Sequence, residues 1–404
     1  MTISDKATRQ YAQMMDAQDP LKAYRDKFHL TFRTNGEVHN YLCGNSLGLQ
    51  PKGVRQYVEQ ELDDWARLGV EGHIHARNPW LPYHEFLGPA MANIVGAKDH
   101  EVVVMNSLTV NLHLLMVSFY RPSSKRYKIL FEYSPFPSDR YAIESQIKFH
   151  GFDPADAMIE LKPDENDYVS MAAIEQTFKE NGDDIALVLI GGVNYYTGQA
   201  YPLKKITDLA KSYGCVVGFD LAHGAGNLLL NLHNDGPDFA AWCSYKYLNS
   251  GPGSLSGIFV HDRHKEAFDL PRFTGWWSHN KDTRFKMGPV YEPLSGAEGW
   301  QLSNPPILPM AAMRASLELF ESAGMVALNE KSEKLTTYLY ELLDSYSNPK
   351  IKVITPKNWD ERGCQLSLQI KDADKSLFDK ITEKGVIADW REPDVIRIAT
   401  VPLY

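Results

Sequence analysis

One segment of the chain, residues 216–223, limits the possible folds more than any other. It reads Val-Val-Gly-Phe-Asp-Leu-Ala-His, so an apolar run ends in the carboxylate of Asp220. Such a run predicts a strand that is buried on both faces, as in a parallel sheet between two helix layers. Open sheets of this kind bind ligands outside the carboxyl ends of their strands. The segment therefore predicts an α/β fold with Asp220 at the ligand-binding edge.

A lysine later in the chain is a natural partner for this carboxylate. Lys246 stands between two tyrosines and is followed by Asn-Ser-Gly-Pro-Gly-Ser, which is typical of a tightly constrained backbone. Pyridoxal phosphate needs a carboxylate beside its pyridine nitrogen and a lysine that holds its aldehyde as a Schiff base. Asp220 alone would be better explained as the cap of a following helix. Together, Asp220 and Lys246 predict a pyridoxal phosphate site.

Predicted strands and helices alternate between residues 51 and 260. Helices are predicted over residues 51–68, 108–120, 138–149 and 203–213, and strands over 101–105, 127–131, 185–190 and 215–220. This alternation implies a mainly parallel sheet with right-handed crossovers. We expect a large cofactor-binding domain over residues 51–308.

A proline-rich segment, residues 304–309, predicts a linker or hinge after this region. Beyond it we expect a long helix to about residue 346 with a break at Gly324, followed by strands around one helix. The strands are predicted over residues 351–354, 365–370, 386–389 and 395–399, and the helix over 376–383. The pattern predicts a small α+β domain formed by residues 1–50 and 309–404.

Composition restricts the class of ligand. The 404 residues are 44% hydrophobic and carry a net charge of −9, so a large core is expected, but no basic face for nucleic acid or an anionic membrane. The sequence shows no apolar signal segment or bilayer-spanning run, which predicts a cytoplasmic protein with a small-molecule substrate. Cys43, Cys215, Cys243 and Cys364 lack C-x-x-C spacing, so we expect buried, reduced thiols.

Two further segments are candidates for binding the cofactor. Residues 106–109, Asn-Ser-Leu-Thr, lie between a predicted strand and a predicted helix, where free amides and the helix dipole attract phosphate. A plain helix N-cap explains them equally well. The loop over residues 132–139 contains two prolines and presents Phe136, whose ring could stack on a pyridine or pack beneath the next helix.

Other chemistries have less support in the sequence. His73, His75 and His84 lack a carboxylate with the spacing of zinc-binding helices, so satisfied loop histidines explain them better and no metal site is predicted. No G-x-G-x-x-G follows a predicted strand and no P-loop motif occurs, which argues against a nucleotide-binding oxidoreductase or binding module.

An ordered set of segments across nearly the whole chain resembles the kynureninases, a family of pyridoxal phosphate enzymes. The segments are residues 45–51, 108–115, 136–139, 196–199, 218–223, 242–249 and 303–306. This resemblance implies an aspartate-aminotransferase-like (fold type I) large domain with a mainly parallel seven-stranded sheet, plus a smaller α+β domain.

The resemblance also implies roles for individual residues. Lys246 would carry the cofactor, and Arg397, otherwise explained as a surface arginine on a strand, would bind the substrate α-carboxylate through its planar fork. The implied cofactor-binding residues are Leu108, Thr109, Phe136, Pro137, Ser138, Asp139, Asp220, His223, Tyr245, Lys246, Trp276 and Asn304. Trp276 and Asn304 would come from the second subunit of a homodimer, so the active site would lie at the subunit interface and a monomer would be inactive.

The implied reaction is hydrolytic cleavage of L-kynurenine or L-3-hydroxykynurenine to anthranilate or 3-hydroxyanthranilate plus L-alanine, in tryptophan catabolism and NAD synthesis. Lys246 would remove the α-proton, and Tyr245 would act as acid or base at the γ-carbonyl. The implied contacts to the substrate ring are His73, Ser303 and Asn304. This polar trio favours 3-hydroxykynurenine.

Alternatives and departures from the family pattern remain. Another fold type I enzyme, an aminotransferase or a cysteine desulfurase, is one alternative, although no cysteine lies in an evidently flexible glycine-rich loop. An inactive ligand-sensing relative is another, although Lys246, Asp220 and Arg397 are retained. Family members usually continue past Tyr404 with a further helix, which affects the expected packing of the small domain. Gly191 stands where some relatives have a hydroxyl residue, so one phosphate contact is expected to be missing.

Overall fold

The structure, a computed structural model, describes residues 6–404 of the chain. Its strands are β1 (Asn40–Tyr41), β2 (Val102–Met105), β3 (Lys128–Phe131), β4 (Met158–Glu160), β5 (Ile185–Gly191), β6 (Val216–Asp220), β7 (Phe239–Cys243), β8 (Ser256–Val260), β9 (Ile351–Val353), β10 (Gln365–Ile370), β11 (Val386–Ile387), β12 (Asp389–Arg391) and β13 (Val395–Ala399). Its α-helices are α1 (Arg9–Gln18), α2 (Val54–Leu68), α3 (Gly72–His75), α4 (Gly88–Val95), α5 (Leu108–Phe119), α6 (Pro137–Phe149), α7 (Pro154–Ala157), α8 (Met171–Asn181), α9 (Leu203–Ser212), α10 (Leu232–Asp235), α11 (Ile307–Ala323), α12 (Met325–Tyr346) and α13 (Lys375–Glu383).

A seven-stranded sheet forms the centre of the molecule. Its strand order is β2-β8-β7-β6-β5-β3-β4. Neighbouring strands from β7 to β4 pair in parallel, whereas β8 runs antiparallel to both β7 and β2. The prediction of a mainly parallel seven-stranded sheet is therefore confirmed.

Helices cover both faces of this sheet. Val188 and Ile190 of β5 pack in one hydrophobic cluster, and Leu187 and Leu189 pack in the other. Helices α9 and α11 contribute to the first cluster, and α5 and α6 to the second. Burying an aliphatic side chain of this size contributes about 1.5–3 kcal/mol. A strand that is apolar on both faces is thus stabilised between two helix layers, as the run before Asp220 predicts.

The predicted elements of this region agree with the structure to within a few residues at each end. The sequence patterns did not single out β4, α8, β7 or β8. β7 reads Phe-Ala-Ala-Trp-Cys, with two alanines and no β-branched residue, and β8 reads Ser-Gly-Ile-Phe-Val, with serine and glycine in its first two positions. Contacts with the surrounding sheet therefore determine the positions of these two strands more than their own residues do.

A four-stranded antiparallel sheet, β12-β13-β10-β9, forms the core of the C-terminal part. Its apolar face packs against α12 and α13 through Leu366 and Ile396, among others. The single strand predicted over residues 386–389 is wrong. The structure has two short strands there, because β11 pairs in parallel with β1 whereas β12 pairs with β13.

The connection between the two parts runs through a pair of consecutive helices. The predicted break at Gly324 separates α11 from α12, and this glycine has a φ of +76°. Helix α11 packs against α2 and α4, whereas α12 reaches the C-terminal sheet. The proposed division into residues 51–308 and the remainder stays a prediction. Among the described residues, no helix combines the length and apolar character needed to cross a membrane.

Candidate active site

A cavity of about 370 Å³ lies where the carboxyl ends of β5 and β6 face the C-terminal sheet. Ten of the predicted site residues line it: Leu108, Thr109, Phe136, Ser138, Asp139, Asp220, His223, Tyr245, Lys246 and Arg397. Pro137, the eleventh, begins helix α6 beside them. Residues distant in the sequence therefore meet in one concave site, which is the usual form of a small-molecule site.

Lys246 projects into this cavity from the loop after β7. Its Nζ lies 3.1 Å from Nε2 of His223 and 5.9 Å from the centre of the Phe136 ring. Burial, together with the positive charge of Lys246, holds the pKa of His223 well below its usual range. His223 is therefore a neutral imidazole whose Nε2 accepts a hydrogen bond from the lysine.

Asp220 ends β6 and shares its position with a second acid. Its carboxylate accepts a hydrogen bond of 2.7 Å from the amide of Ala222. Burial and the neighbouring Asp220 raise the pKa of Asp139 well above its ordinary value, and burial also raises the pKa of Asp220. Ionising two adjacent carboxyl groups costs electrostatic free energy. Asp139 therefore holds the proton and Asp220 carries the negative charge. A protonated pyridine nitrogen fits beside Asp220, since it would supply the positive charge that this acidic end of the cavity needs.

Another part of the cavity lining fits a phosphate group. Ser107 is the N-cap residue of α5, and its side chain makes no capping hydrogen bond. The hydroxyls of Ser254 and Ser256 are buried without a hydrogen-bond partner in the described part of the chain, and both residues line the cavity. Thr109 Oγ1 lies 2.9 Å from Ser138 Oγ. The N-terminus of α5 and these hydroxyls together offer donors suited to an anion.

Sequence reasoning passed over both Ser254 and Ser256, although they lie in the glycine-rich run after Lys246. It also passed over Glu132, which lines the cavity directly after β3. Glu132 accepts a hydrogen bond from the Gly191 amide, and burial raises its pKa to about 8. The sequence contains a signal for Glu132, because this residue follows a predicted apolar strand in the same way that Asp220 ends one. Its partner at Gly191 became visible only in the fold.

Tyr245 lines the same cavity and is half-buried. Burial, and then the adjacent Cys243 thiol, raise the pKa of Tyr245 well above its usual range. The phenol therefore remains protonated at neutral pH. It is suited to donate a proton to an oxygen that gains negative charge.

Arg397 lies on β13 and is only 1% exposed, so the explanation as a surface arginine is wrong. It forms an ion pair with Asp389 and donates a 2.7 Å hydrogen bond to the carbonyl of Tyr195. The backbone carbonyls of residues 195–197, in the loop after β5, all accept hydrogen bonds from side chains of the C-terminal part. The donors are Arg397, Gln365, Ser367 and Thr355.

Besides Pro137, four predicted residues lie outside the lining of this cavity within residues 6–404. Trp276 is partly exposed and donates a hydrogen bond to the carbonyl of Arg284, and His73 Nδ1 lies 2.9 Å from the carbonyl oxygen of Val70. Ser303 and Asn304 are exposed. Trp276 and Asn304 are expected to act from a second subunit, and the roles of all four residues stay predictions.

Comparisons with known proteins find one family by sequence and one type of fold by structure. A family model described as the kynureninase C-terminal domain matches residues 328–404. The chain is 56% identical to the kynureninase of Myxococcus xanthus, covering 98% of this chain and 93% of that protein. It is 54% identical to the kynureninase of Koribacter versatilis, covering 98% and 94%. A cysteine desulfurase from Thermococcus onnurineus superposes with a TM-score of 0.74 at 16% identity, covering 91% of each chain, which is a likeness of fold alone.

Proposed function

Since this chain belongs to the kynureninase family, we propose that the cavity around Lys246 cleaves L-kynurenine or L-3-hydroxykynurenine hydrolytically. The products are anthranilate or 3-hydroxyanthranilate and L-alanine. The chain is a pyridoxal-phosphate-dependent enzyme of the kynurenine pathway. One observation carries the assignment to this cavity: Lys246, the buried Asp220 and the buried Arg397 line a single site.

Each residue has one task in this proposal. When bound, pyridoxal phosphate withdraws electrons from the α-carbon of an amino acid. Asp220 keeps the pyridine nitrogen protonated, and the lysine amine of Lys246 removes the α-proton. Arg397 would bind the α-carboxylate, and Tyr245 would move a proton at the oxygen of the γ-carbonyl group, whose carbon is the atom to which water adds.

The phosphate would be held by the N-terminus of α5. Leu108 and Thr109 would offer backbone amides, and the unpartnered hydroxyls of Ser254 and Ser256 would add donors. Phe136 and His223 would lie against the ring. The two serines would add hydroxyl donors in a site where position 191 is a glycine.

A cysteine desulfurase is less well supported than a kynureninase. A desulfurase needs a reactive thiolate, and thiolates form where the thiol pKa is lowered. Here burial raises the pKa of Cys43 to about 11 and that of Cys364 to about 12. Cys215, Cys243 and Cys364 are buried as expected, whereas Cys43 is only partly buried, and burial also raises the pKa values of Cys215 and Cys243. The likeness to desulfurase structures therefore concerns the fold and not the chemistry.

The working enzyme in this proposal is a cytoplasmic homodimer with its active sites at the subunit interface. Around Trp276, the side chains of Phe285, Met287 and Val290 are 55%, 70% and 70% exposed, which is typical of an apolar contact surface. Trp276 and Asn304 would reach the cavity of the partner subunit from this region. The four cysteines are free thiols, as a reducing compartment allows.

For the ring of the substrate, His73, Ser303 and Asn304 would form the polar contacts. A site built to hydrogen-bond a hydroxyl group discriminates strongly against a ligand that lacks it. We therefore expect a higher kcat/KM for L-3-hydroxykynurenine than for L-kynurenine. Equal values for the two substrates would contradict the proposed ring contacts.

Two measurements on purified protein test the proposed function. Borohydride reduction followed by peptide mapping should find the cofactor label on Lys246, and Lys246→Ala should carry none. Addition of L-kynurenine to the wild-type protein should release fluorescent anthranilate. A label on another residue, or no anthranilate from cofactor-loaded protein, would overturn the proposal.

A further inference from the structure

Asp389 holds two arginines at one wall of the cavity. In the β12–β13 hairpin it lies directly opposite Arg397. The same carboxylate oxygen, Oδ2, accepts hydrogen bonds from Nη2 of Arg397 and, at 3.0 Å, from Nη2 of Arg391. Both arginines line the cavity. Arg391 was not among the residues predicted from the sequence.

Each of the two guanidinium groups has an unused donor. The Nε atoms of Arg391 and Arg397 are buried and have no hydrogen-bond partner among residues 6–404. A buried donor on a charged group that lacks an acceptor is costly, so such a pair is explained best by a ligand that supplies the acceptors. Arg397 also donates to the Tyr195 carbonyl, which fixes the orientation of its fork.

The charges at this wall also call for an anion. Two guanidinium groups share the single negative charge of Asp389, so one positive charge is left over. The nearby His223 is neutral because its pKa is well below its usual range, and the Cys43 thiol is neutral because its pKa is about 11. A ligand with one carboxylate balances this wall, and a planar fork on each arginine suits the two oxygens.

We propose that Arg391 acts together with Arg397 in binding the α-carboxylate of the substrate, with Asp389 holding both guanidinium groups in place. This inference rests on the proposed function and deepens it, because it makes Arg391 a specificity-determining residue. The two arginines select amines that carry a neighbouring carboxylate. A purely structural Arg391 would support Asp389 and the hairpin without such selection.

Ligand discrimination in the cofactor-loaded enzyme separates these two roles. L-Alanine and ethylamine differ only in the carboxylate, and their binding can be followed by the change in cofactor absorbance. In Arg391→Gln we expect the preference for L-alanine over ethylamine to fall about 10- to 100-fold, as for loss of a hydrogen bond to a charged group. The KM for L-kynurenine should rise more than kcat falls. Arg55→Gln is the matched control, because its side chain is 80% exposed.

A comparison of Arg391→Gln with Arg397→Gln can overturn the inference. If Arg391→Gln keeps the wild-type preference while Arg397→Gln loses it, Arg397 binds the carboxylate alone. If Arg391→Gln fails to load cofactor, Arg391→Lys takes its place in the test, because lysine retains the positive charge and lacks the planar fork of arginine. It should lose part of the preference, and an unchanged preference would overturn the inference. Failure of the proposed function would appear separately, as wild-type protein that releases no anthranilate.

Discussion

The carboxylate of Glu132 occupies the space that a side chain at position 191 would need. Glu132 accepts the hydrogen bond of the Gly191 amide, and a Cβ added at Gly191 would lie 2.6 Å from Oε2. A side chain at position 191, including the hydroxyl residue that some relatives carry there, would therefore require Glu132 to move. Glu132 fills the site from the neighbouring strand of the sheet.

Gly191→Ala should destabilise the protein and weaken cofactor binding. The new methyl group would force the Glu132 carboxylate away from the amide, which breaks a buried hydrogen bond and costs about 1–3 kcal/mol. Urea unfolding and cofactor titration measure the two effects. Gly88→Ala is the control, because no atom of residues 6–404 lies within 4 Å of its added Cβ. A Gly191→Ala protein as stable as wild type would show that the carboxylate does not hold this space.

The contribution of Glu132 to the stability of the cofactor-free protein should fall as the pH rises from about 4.5 to about 8. Burial raises the pKa of Glu132 from its ordinary 4.5 to about 8, so in this window the folded state retains a proton that the unfolded state has lost. Rising pH then favours unfolding, by up to about 5 kcal/mol from this one group. Urea unfolding at several pH values measures the slope. Glu132→Gln should flatten it, and an identical slope in the variant would exclude this carboxyl as the cause.

Tyr245→Phe should retain the cofactor absorbance and lose turnover. Removal of a positioned acid lowers kcat by about 10²- to 10⁴-fold. Tyr247→Phe is a matched control two residues away, since its buried hydroxyl has no hydrogen-bond partner in the described part of the chain. Steady-state kinetics of both variants, with spectra of the loaded proteins, make the comparison. Wild-type turnover in Tyr245→Phe would remove this phenol from the mechanism.

Two inactive variants should restore activity when they are mixed. Lys246→Ala lacks the lysine of its own cavity, and Trp276→Ala combined with Asn304→Ala lacks the residues proposed to enter the partner's cavity. A mixed dimer then has one intact site, so random exchange gives about a quarter of the wild-type activity. Subunits are exchanged under mild denaturation and assayed with L-kynurenine. Mixtures that remain inactive, while mixed dimers are seen by mass spectrometry, would exclude the shared site.

The sequence predicted those parts of the site that have a local signal. Asp220 ends an apolar run and Lys246 stands in a constrained loop, so each was identifiable before any pairing was known. The order of the strands and the reversal of β8 depend on contacts between distant segments, which no local pattern encodes. Arg391 illustrates the same limit. It becomes part of the site only because the β12–β13 hairpin sets Asp389 opposite Arg397.

The hydrogen bonds to residues 195–197 bear on how the molecule can move. This short stretch follows β5 in the sequence, yet its carbonyls are bound by side chains of the C-terminal part. Any hinge rotation of that part must take the stretch with it, including the Tyr195 ring, whose centre lies 5.3 Å from that of Phe136. A displacement of Arg397 with the C-terminal part would therefore carry the Tyr195 ring along, and with it one aromatic contact of Phe136.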